Sequence, residues 1–583
     1  MKIRHNRAVI IGLTGYLGSG CTELAKYMAL KSFSHDVKKE IEKDNSRVIG
    51  HLYEQIDLRA KQLRSYSADT NPNQVEQTQT QLQNEMKSLK KELERREILN
   101  VARRHKREVK QRFFYISLSN IIIFSLIRHA NYAQKGSEII EMLKRGLKSN
   151  PLNFSLEEAV SLLKLFEDEA KATFKNPFNV KTKNISKPDA EKIKLLFDNF
   201  YLIKDSIVAK HGKAILQDYG DTIRSCRNPY GERSVKGSSV SARELVKIAD
   251  HYIRFLQKYF GYRFFVLECF KNAQELFYFR EKYSYFYLFA IEVDRKIRIE
   301  RSALNREEYD RIEQREKRPE AGVEKFAQLS VSRCMELADL VIKNNENNGM
   351  YKDLFWKILK YFALILEPGC LKPSENETLM HLAYTFSLRS NCNSRQVGAI
   401  ITNAEGYVIG AGWNDVGEGQ ISCGQKMVKD YQNIDFLNHG KCLDMKNLDG
   451  DDYVCCKELF ERNRDLHCVA LHAEENAILQ LAKFHSGVPF GSAIYITTYP
   501  CASCLKKISQ IGIANIIYTQ HYENPIREKI LLEGIKPVGV ESFEGVQYFS
   551  LVRLYKPYYD KKEQQQILKF DPKREQTQET VLI

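Results

Sequence analysis

His472-Ala473-Glu474-Glu475-Asn476-Ala477-Ile478-Leu479-Gln480-Leu481-Ala482, followed by Ala493-Ile494-Tyr495-Ile496-Thr497-Thr498-Tyr499-Pro500-Cys501-Ala502-Ser503-Cys504, decides the fold of the C-terminal part of this chain. The first stretch has good helix formers with apolar residues at helical spacing. The run before Pro500 is rich in β-branched and aromatic residues and reads as a strand. A second helix follows Pro500, and its N-terminus favours thiolates through its dipole and unpaired backbone N–H groups. One His and two Cys provide three metal ligands, with the acid Glu474 two residues beyond the His. Three protein ligands leave the fourth position of a tetrahedral zinc open, as in catalytic rather than structural sites. A Cys-x-x-Cys pair alone is equally half of a closed zinc finger, a redox pair or two reduced core thiols. The strand–PCxxC–helix context, with His-Ala-Glu on a preceding helix, favours the open metal site.

The H-x-E…P-C-x-x-C pattern is the signature of zinc-dependent nucleobase deaminases. Deamination of cytosine needs a hydroxide at C4 near neutral pH, and zinc lowers the pKa of bound water. The leaving amine must also be protonated. Glu474, beside the metal but not bound to it, fits a proton carrier.

Upstream, Glu375–Ser390 reads as a helix, and Ser394-Arg395-Gln396-Val397-Gly398-Ala399-Ile400-Ile401-Thr402 leads into a strand. The turn Asn403-Ala404-Glu405-Gly406 and the strand Tyr407–Asn414 follow. Strand, turn, strand and metal helices make a three-layer α/β/α plan. Over roughly 375–525 the chain resembles the deoxycytidylate deaminase branch of the cytidine deaminase superfamily. The matching residues are Arg395-Gln396-Val397-Gly398-Ala399, Gly412-Trp413-Asn414, His472-Ala473-Glu474-Glu475-Asn476-Ala477-Ile478, Pro500-Cys501-Ala502-Ser503-Cys504 and Gly512–Tyr518. The resemblance implies His472, Cys501 and Cys504 as zinc ligands, Glu474 as proton shuttle, Asn414 as a contact to the sugar, and Arg395 beside it as a substrate-binding residue. Asn414 also reads as a turn residue. Deoxycytidylate deaminases carry an insertion where this chain has Asp415 to Leu471, often with a second, structural zinc. Cys392 and Cys423 match two cysteines of that site, and Cys442, Cys455, Cys456, His467 and Cys468 are further candidate ligands. The alternative is a set of unconnected reduced cysteines.

At the other end, Ala8-Val9-Ile10-Ile11-Gly12-Leu13-Thr14 reads as a buried parallel strand. It enters Gly15-Tyr16-Leu17-Gly18-Ser19-Gly20-Cys21-Thr22 and a helix. This is the spacing of the phosphate-binding G-x-x-x-x-G-K-[ST] loop. Gly15, Gly18, Ser19, Gly20, Cys21 and Thr22 are therefore candidate nucleotide-binding residues, but Cys21 stands where the phosphate-binding Lys belongs. A neutral thiol does not stabilise β/γ-phosphate charge, which speaks against phosphoryl transfer. Nucleotide binding without turnover and a relic of the fold both remain open. The strand Phe264–Glu268, the helix from Asn272, the strand Tyr285–Ile291 and the basic run from Arg295 resemble the second half of a P-loop nucleotide-kinase-like domain. Arg227–Arg233 reads either as a phosphate-facing loop or as an ordinary surface loop.

The expected architecture is α/β throughout: a P-loop kinase-like parallel-sheet domain over 1–345, a deaminase domain over 355–560 and a flexible, Gln/Lys/Glu-rich tail over 561–583. Helical insertions are expected at about 74–112, as a solvated helix or weak coiled coil, and at about 138–215. The fusion resembles bacterial phage-defence deaminases that deplete deoxycytidine nucleotides. It implies conversion of dCTP and/or dCMP to the uracil nucleotide, activity restrained by an inhibitory regulator, and a homo-oligomer.

The chain has 583 residues, a net charge of +15 and 13 cysteines. Its length suits two or three domains. The charge favours anionic partners, or is simply a solvated basic surface. The cysteines do not form a secreted disulfide framework, so a reducing, cytoplasmic setting is expected. The apolar Phe113–Ile127 is shorter than the roughly 20 residues of a membrane span and reads as a buried strand pair or helix. Two other functions stay open: a polynucleotide editing deaminase acting on flipped bases, and a kinase or NTPase with an accessory deaminase.

Overall fold

The computed structural model describes residues 8–30, 46–65, 72–105, 111–133, 137–149, 153–175, 185–231, 242–268, 270–317, 328–345, 352–431, 468–484, 491–520 and 537–557, with isolated positions between them. The chain divides into two compact units. One comprises Met1–Leu371 with Leu554–Ile583, the other Lys372–Arg553.

In the first unit the strands β1 (Val9–Thr14), β2 (Phe114–Ser117), β3 (Phe264–Glu268), β4 (Phe286–Glu292) and β5 (Leu340–Lys343) run in the order β5-β4-β1-β3-β2. Every neighbouring pair is parallel. β1 is central and buried along its whole length. Such strands are apolar on both faces because helices cover both sides of a parallel sheet.

The 138–215 segment forms the helices Glu138–Lys148, Leu156–Lys175, Lys187–Asp198 and Phe200–His211. Phe124, Phe166, Phe197 and Phe255 are buried in one cluster with Ile10 of β1, and Phe197 stacks on Tyr252 at 3.9 Å. Each fully buried ring contributes roughly 1.5–3 kcal/mol, so these helices form part of the unit's core. The apolar run from Phe113 divides into β2 and the buried helix Leu118–Arg128, which Ser117 caps through the Asn120 N–H. No described helix is long and apolar enough to cross a membrane.

The charged stretch from Gln74 lies within the helix Pro72–Arg104. The expectation of a wholly solvated projection is corrected at its C-terminal end, where Ile98, Leu99, Val101 and Ala102 are buried. That end packs on the helix Lys352–Leu366, with Lys360 pairing to Glu94 and Arg95 over the Trp356 ring. These contacts also move the domain boundary. The helix Lys352–Leu366 belongs to the first unit, so the second begins at Lys372 rather than near 355, and the chain re-enters the first unit at Leu554.

In the second unit the strands β6 (Gly398–Thr402), β7 (Val408–Trp413), β8 (Ala493–Thr498), β9 (Asn515–Gln520) and β10 (Gly539–Ser542) run in the order β10-β9-β8-β6-β7. β6 and β7 form a hairpin turning at Asn403–Gly406, β8 is antiparallel to β6, and β8, β9 and β10 are parallel. The helix Glu375–Ser387 starts in a Ser374/Glu377 capping box and packs on one face. The helices Ala473–Lys483 and Ala502–Gln510 pack on the other through Ala473, Ala477, Leu481, Leu505 and Ile508. Both close approaches use glycine. A Cβ on Gly398 would stand 1.9 Å from the Ala383 carbonyl oxygen, and one on Gly412 would stand 2.3 Å from that of Ala473.

Since backbone on both sides blocks the added methyl, Gly412→Ala is expected to destabilise the second unit by about 1–3 kcal/mol, the usual cost of overpacking. Denaturant unfolding should show a lower midpoint for this unit. An unchanged midpoint would show that β7 and the helix Ala473–Lys483 separate without cost.

Candidate active site

Two helices begin at the same point. β7 ends at Trp413, and an antiparallel bridge between Asp415 and Leu471 returns the chain after the long insertion to the same edge. His472 is therefore the N-cap of the helix Ala473–Lys483, with its backbone N–H donating to Glu475 Oε2 at 2.8 Å. β8 runs through Pro500 to Cys501, which caps the helix Ala502–Gln510 by accepting the Cys504 N–H at 3.5 Å. His472 Nδ1 lies 3.4 Å from each of the Cys501 and Cys504 sulfurs. All three ligand atoms lie within 4.8 Å of one another. A tetrahedral zinc with bonds of about 2.0–2.3 Å places its nitrogen and sulfur ligands roughly 3.5 Å apart, so these residues fit that ion. Hydrogen bonding from Cys504 and then from His472 favours the Cys501 thiolate, the form that binds metal.

Glu474, on the first turn of the same helix, is 4% exposed, and burial lifts its carboxyl to about 7. A carboxyl so placed takes and gives a proton near neutral pH. Glu475 pairs with Lys507, linking the first turn of this helix to the last turn of the second metal helix. The helix Ala473–Lys483 is registered against β7 by Asn476 Nδ2 donating to the Trp413 carbonyl at 2.7 Å and by the Ala411 N–H donating to Gln480 Oε1 at 2.7 Å. The Trp413 ring is covered by Arg389 at 3.9 Å and stacks on Phe386. The sequence reading assigned no role to Gln480, Lys507 or Arg389. Only the i+3 spacing of Glu475 from His472 signalled its capping part.

Asn414 is buried just past β7, beside the Asp415–Leu471 bridge that leads to His472. Its Oδ1 accepts the Val397 N–H at 2.6 Å, and its Nδ2 donates to the Arg395 carbonyl at 2.8 Å. Asn414 thus holds the 395–397 loop, while the Arg395 side chain is exposed. Of the other candidate ligands, Cys392 and Cys423 sit on segments joined by the Asn393 side chain donating to the Cys423 carbonyl and by the Gly424 N–H donating to Asn391. Cys423 and Cys455 are buried, and Cys392 and Cys468 partly so. Cys442, Cys456 and His467 lie outside the described residues. Among the described residues, His472, Cys501 and Cys504 form the one cluster of three or more metal-ligating side chains.

Residues 373–520 match the family model of the cytidine and deoxycytidylate deaminase zinc-binding region. A 158-residue stretch is 31% identical to the deoxycytidylate deaminase of Enterobacteria phage T2, covering 25% of this chain and 80% of that protein. The chain belongs to the cytidine and deoxycytidylate deaminase family. It is also 30% identical over 202 residues to the deoxycytidylate deaminase of Schizosaccharomyces pombe, over 35% of this chain and 53% of that protein, so it spans about half the length of this relative. The dCMP deaminase of cyanophage S-TIM5, solved with dCMP and dUMP, is 26% identical, with a TM-score of 0.21, over 30% of this chain and 99% of that one. The ligand triad and Glu474 lie inside the matched family region.

The glycine-rich segment of the first unit forms the expected strand–loop–helix. The helix Cys21–Ala29 starts at Gly20, and Gly18 and Gly20 hold φ of +83° and +87°. Gly15 packs against Ser19 and the Ile291 carbonyl. Thr22 is partly exposed on the first turn of the helix. Cys21 is buried, with its sulfur 3.3 Å from Ser19 Oγ, and burial pushes its thiol up to about 12. It stays neutral and supplies no phosphate-neutralising charge. Arg227 pairs with Glu244 at 3.8 Å, as an ordinary surface residue does.

Cys501→Ser or Cys504→Ser is expected to lower bound zinc by one equivalent per chain, read by elemental mass spectrometry. Full zinc retention in both would remove these sulfurs from the metal site.

Proposed function

We propose that the unit Lys372–Arg553 catalyses hydrolytic deamination of a deoxycytidine nucleotide, dCMP or dCTP, to its deoxyuridine counterpart. The observation that carries this is the buried Glu474 beside three converging zinc ligands. A zinc ion there makes water nucleophilic near neutral pH. Glu474 accepts a proton from the attacking water and delivers it to N3 of the base as C4 becomes tetrahedral. It then takes the proton of the hydroxyl now on C4 and passes it to the departing amine as the C–N bond breaks, leaving the C4 carbonyl. Its raised carboxyl suits both directions of transfer. The Glu475–Lys507 pair and the Asn476 bond to β7 hold Glu474's helix still during these steps.

The deoxycytidylate reading is supported by the names of the T2 phage and fission-yeast relatives. With Oδ1 and one Nδ2 hydrogen holding the 395–397 loop, Asn414 keeps a second amide hydrogen for a sugar hydroxyl. Arg395, exposed on that loop, is the partner for the nucleotide phosphate. The neighbouring Cys392 and Cys423 segments are the start of a second, structural zinc site. The wider role is depletion of deoxycytidine nucleotides in phage defence, by a cytoplasmic homo-oligomer under an inhibitory regulator. Support for that role is the fusion of a P-loop-like segment to a deaminase unit.

Glu474→Gln should lower ammonia release from dCMP by roughly 10²–10⁴, the usual worth of a general acid–base group, with zinc content unchanged. Retained turnover would sink the mechanism. Ammonia release across deoxycytidine, dCMP, dCTP and cytosine in single-stranded DNA and RNA should be highest for dCMP or dCTP. Preference for the polymers would assign an editing deaminase instead.

A further inference from the structure

β7 is an edge strand of the five-stranded sheet, so its outer side has no strand to pair with among the described residues. Free edges of this kind are covered or blunted in native sheets. Here two of the outward groups are taken by side chains of the helix Ala473–Lys483. The Ala411 N–H donates to Gln480 Oε1 at 2.7 Å, and the Trp413 carbonyl accepts from Asn476 Nδ2 at 2.7 Å. Ala411 is buried. Its N–H would be costly to leave without an acceptor.

The two bonds make a short ladder. Asn476 and Gln480 are one helical turn apart, and their partners Trp413 and Ala411 alternate along the strand in the reverse order. Four helix residues advance about 6.0 Å, and two strand residues advance about 6.8 Å. The helix therefore matches β7 in this register, and a slip of one strand residue would bring it to groups that face the other edge. The apolar part of the interface does not set this register. A Cβ on Gly410 would stand 3.2 Å from the Ala477 carbonyl oxygen, and one on Gly412 would stand 2.4 Å from the Ala477 nitrogen. Glycine against the alanine side of a helix fixes how close the two elements come, but it offers no ridge to stop sliding or pivoting. One hydrogen bond leaves a pivot, and the second removes it.

The ladder ends where the site begins. Asn414 follows Trp413, and Glu474 lies on the first turn of the helix, just before Asn476. The long insertion from Asp415 to Leu471 separates them along the chain, so their spacing is set by packing and hydrogen bonds. We propose that Gln480 is a positioning residue for the deamination. It holds the helix in register with β7 and so fixes Glu474 relative to Asn414. Its oxygen is committed to the β7 amide, and it acts through the helix rather than on the substrate. The inference rests on the deaminase reading of this unit. Asn414 and the 395–397 loop are held by their own hydrogen bonds, so loosening the helix affects turnover and leaves substrate binding in place.

The test uses the full chain with Gln480→Leu, which removes the acceptor, and Gln480→Glu, whose carboxylate keeps it. Kinetics are measured with dCMP or dCTP, whichever the unaltered chain turns over faster. Gln480→Leu is expected to lower kcat by roughly 10–100-fold, the scale of a misplacement near 1 Å. KM should stay within about threefold, as for a group that acts only on the chemical step, and zinc content should be unchanged. Gln480→Glu should keep kcat within about threefold of the unaltered chain, because the acceptor is retained. Amide hydrogen exchange at Ala411 should quicken in Gln480→Leu and not in Gln480→Glu. Gln480→Lys, which also lacks an acceptor, replaces Gln480→Leu if circular dichroism shows that variant unfolded. An unchanged kcat in a folded variant without the acceptor, an equal loss in Gln480→Glu, or a loss that tracks zinc content overturns the proposal. If the unaltered chain releases ammonia from neither nucleotide, the deaminase reading fails instead. The exchange measurement then decides whether Gln480 pins the helix, and unchanged exchange at Ala411 overturns that.

Discussion

The active site depends on two helix N-termini being aimed at one point. His472 and Cys501 each do two jobs, as cap and as candidate ligand, so their positions are set by backbone hydrogen bonding before any metal arrives. Cap positions are well defined because the backbone turns from extended to helical there. The arrangement holds only while β7 lies directly under the first turn of the helix Ala473–Lys483. A side chain at Gly412 would push that turn away. The glycine, the Asn476 bond to Trp413 and the Glu475–Lys507 pair are therefore one device, which keeps Glu474 near the ligands without letting it become one.

Burial completes the device. A carboxylate on an exposed helix start would be held ionised by water and by the helix dipole. Glu474 is removed from water, and desolvation outweighs its backbone hydrogen bond and the charge of His472. The same first turn carries Glu475, which Lys507 keeps as an acceptor. Two adjacent glutamates thus differ in role because one faces the interior and the other faces a lysine.

The convergence of His472, Cys501 and Cys504, the first-turn position of Glu474 and most strands could be read from the chain because their signals are local. A strand ending in Pro500 and a His-x-Glu opening a helix state their own geometry. What escaped reading depends on distant partners. The C-terminal end of the helix Pro72–Arg104 has too few apolar positions to look buried, yet Ile98, Leu99 and Val101 are covered by a helix some 250 residues later. The Asn414 carboxamide reads as a ligand contact or a turn residue until Val397 and Arg395 are seen to use it. Glu316 sits in a run of alternating charges, where nothing local separates a solvated acid from a buried one.

The two units treat the same structural element in opposite ways. Each has a helix N-terminus after a strand, a place where backbone N–H groups favour negative charge. In the second unit that field falls on Cys501, which is favoured as the thiolate, and burial keeps the nearby Glu474 carboxyl raised. In the first unit the loop before the helix donates its Leu17 N–H to Glu316, which also pairs with Lys271. Gly18 and Gly20 hold positive φ, with Asn344 donating to the Ser19 carbonyl between them. The Leu17 amide of the first unit is thus taken by a buried acid, and the neutral Cys21 adds no charge to that balance.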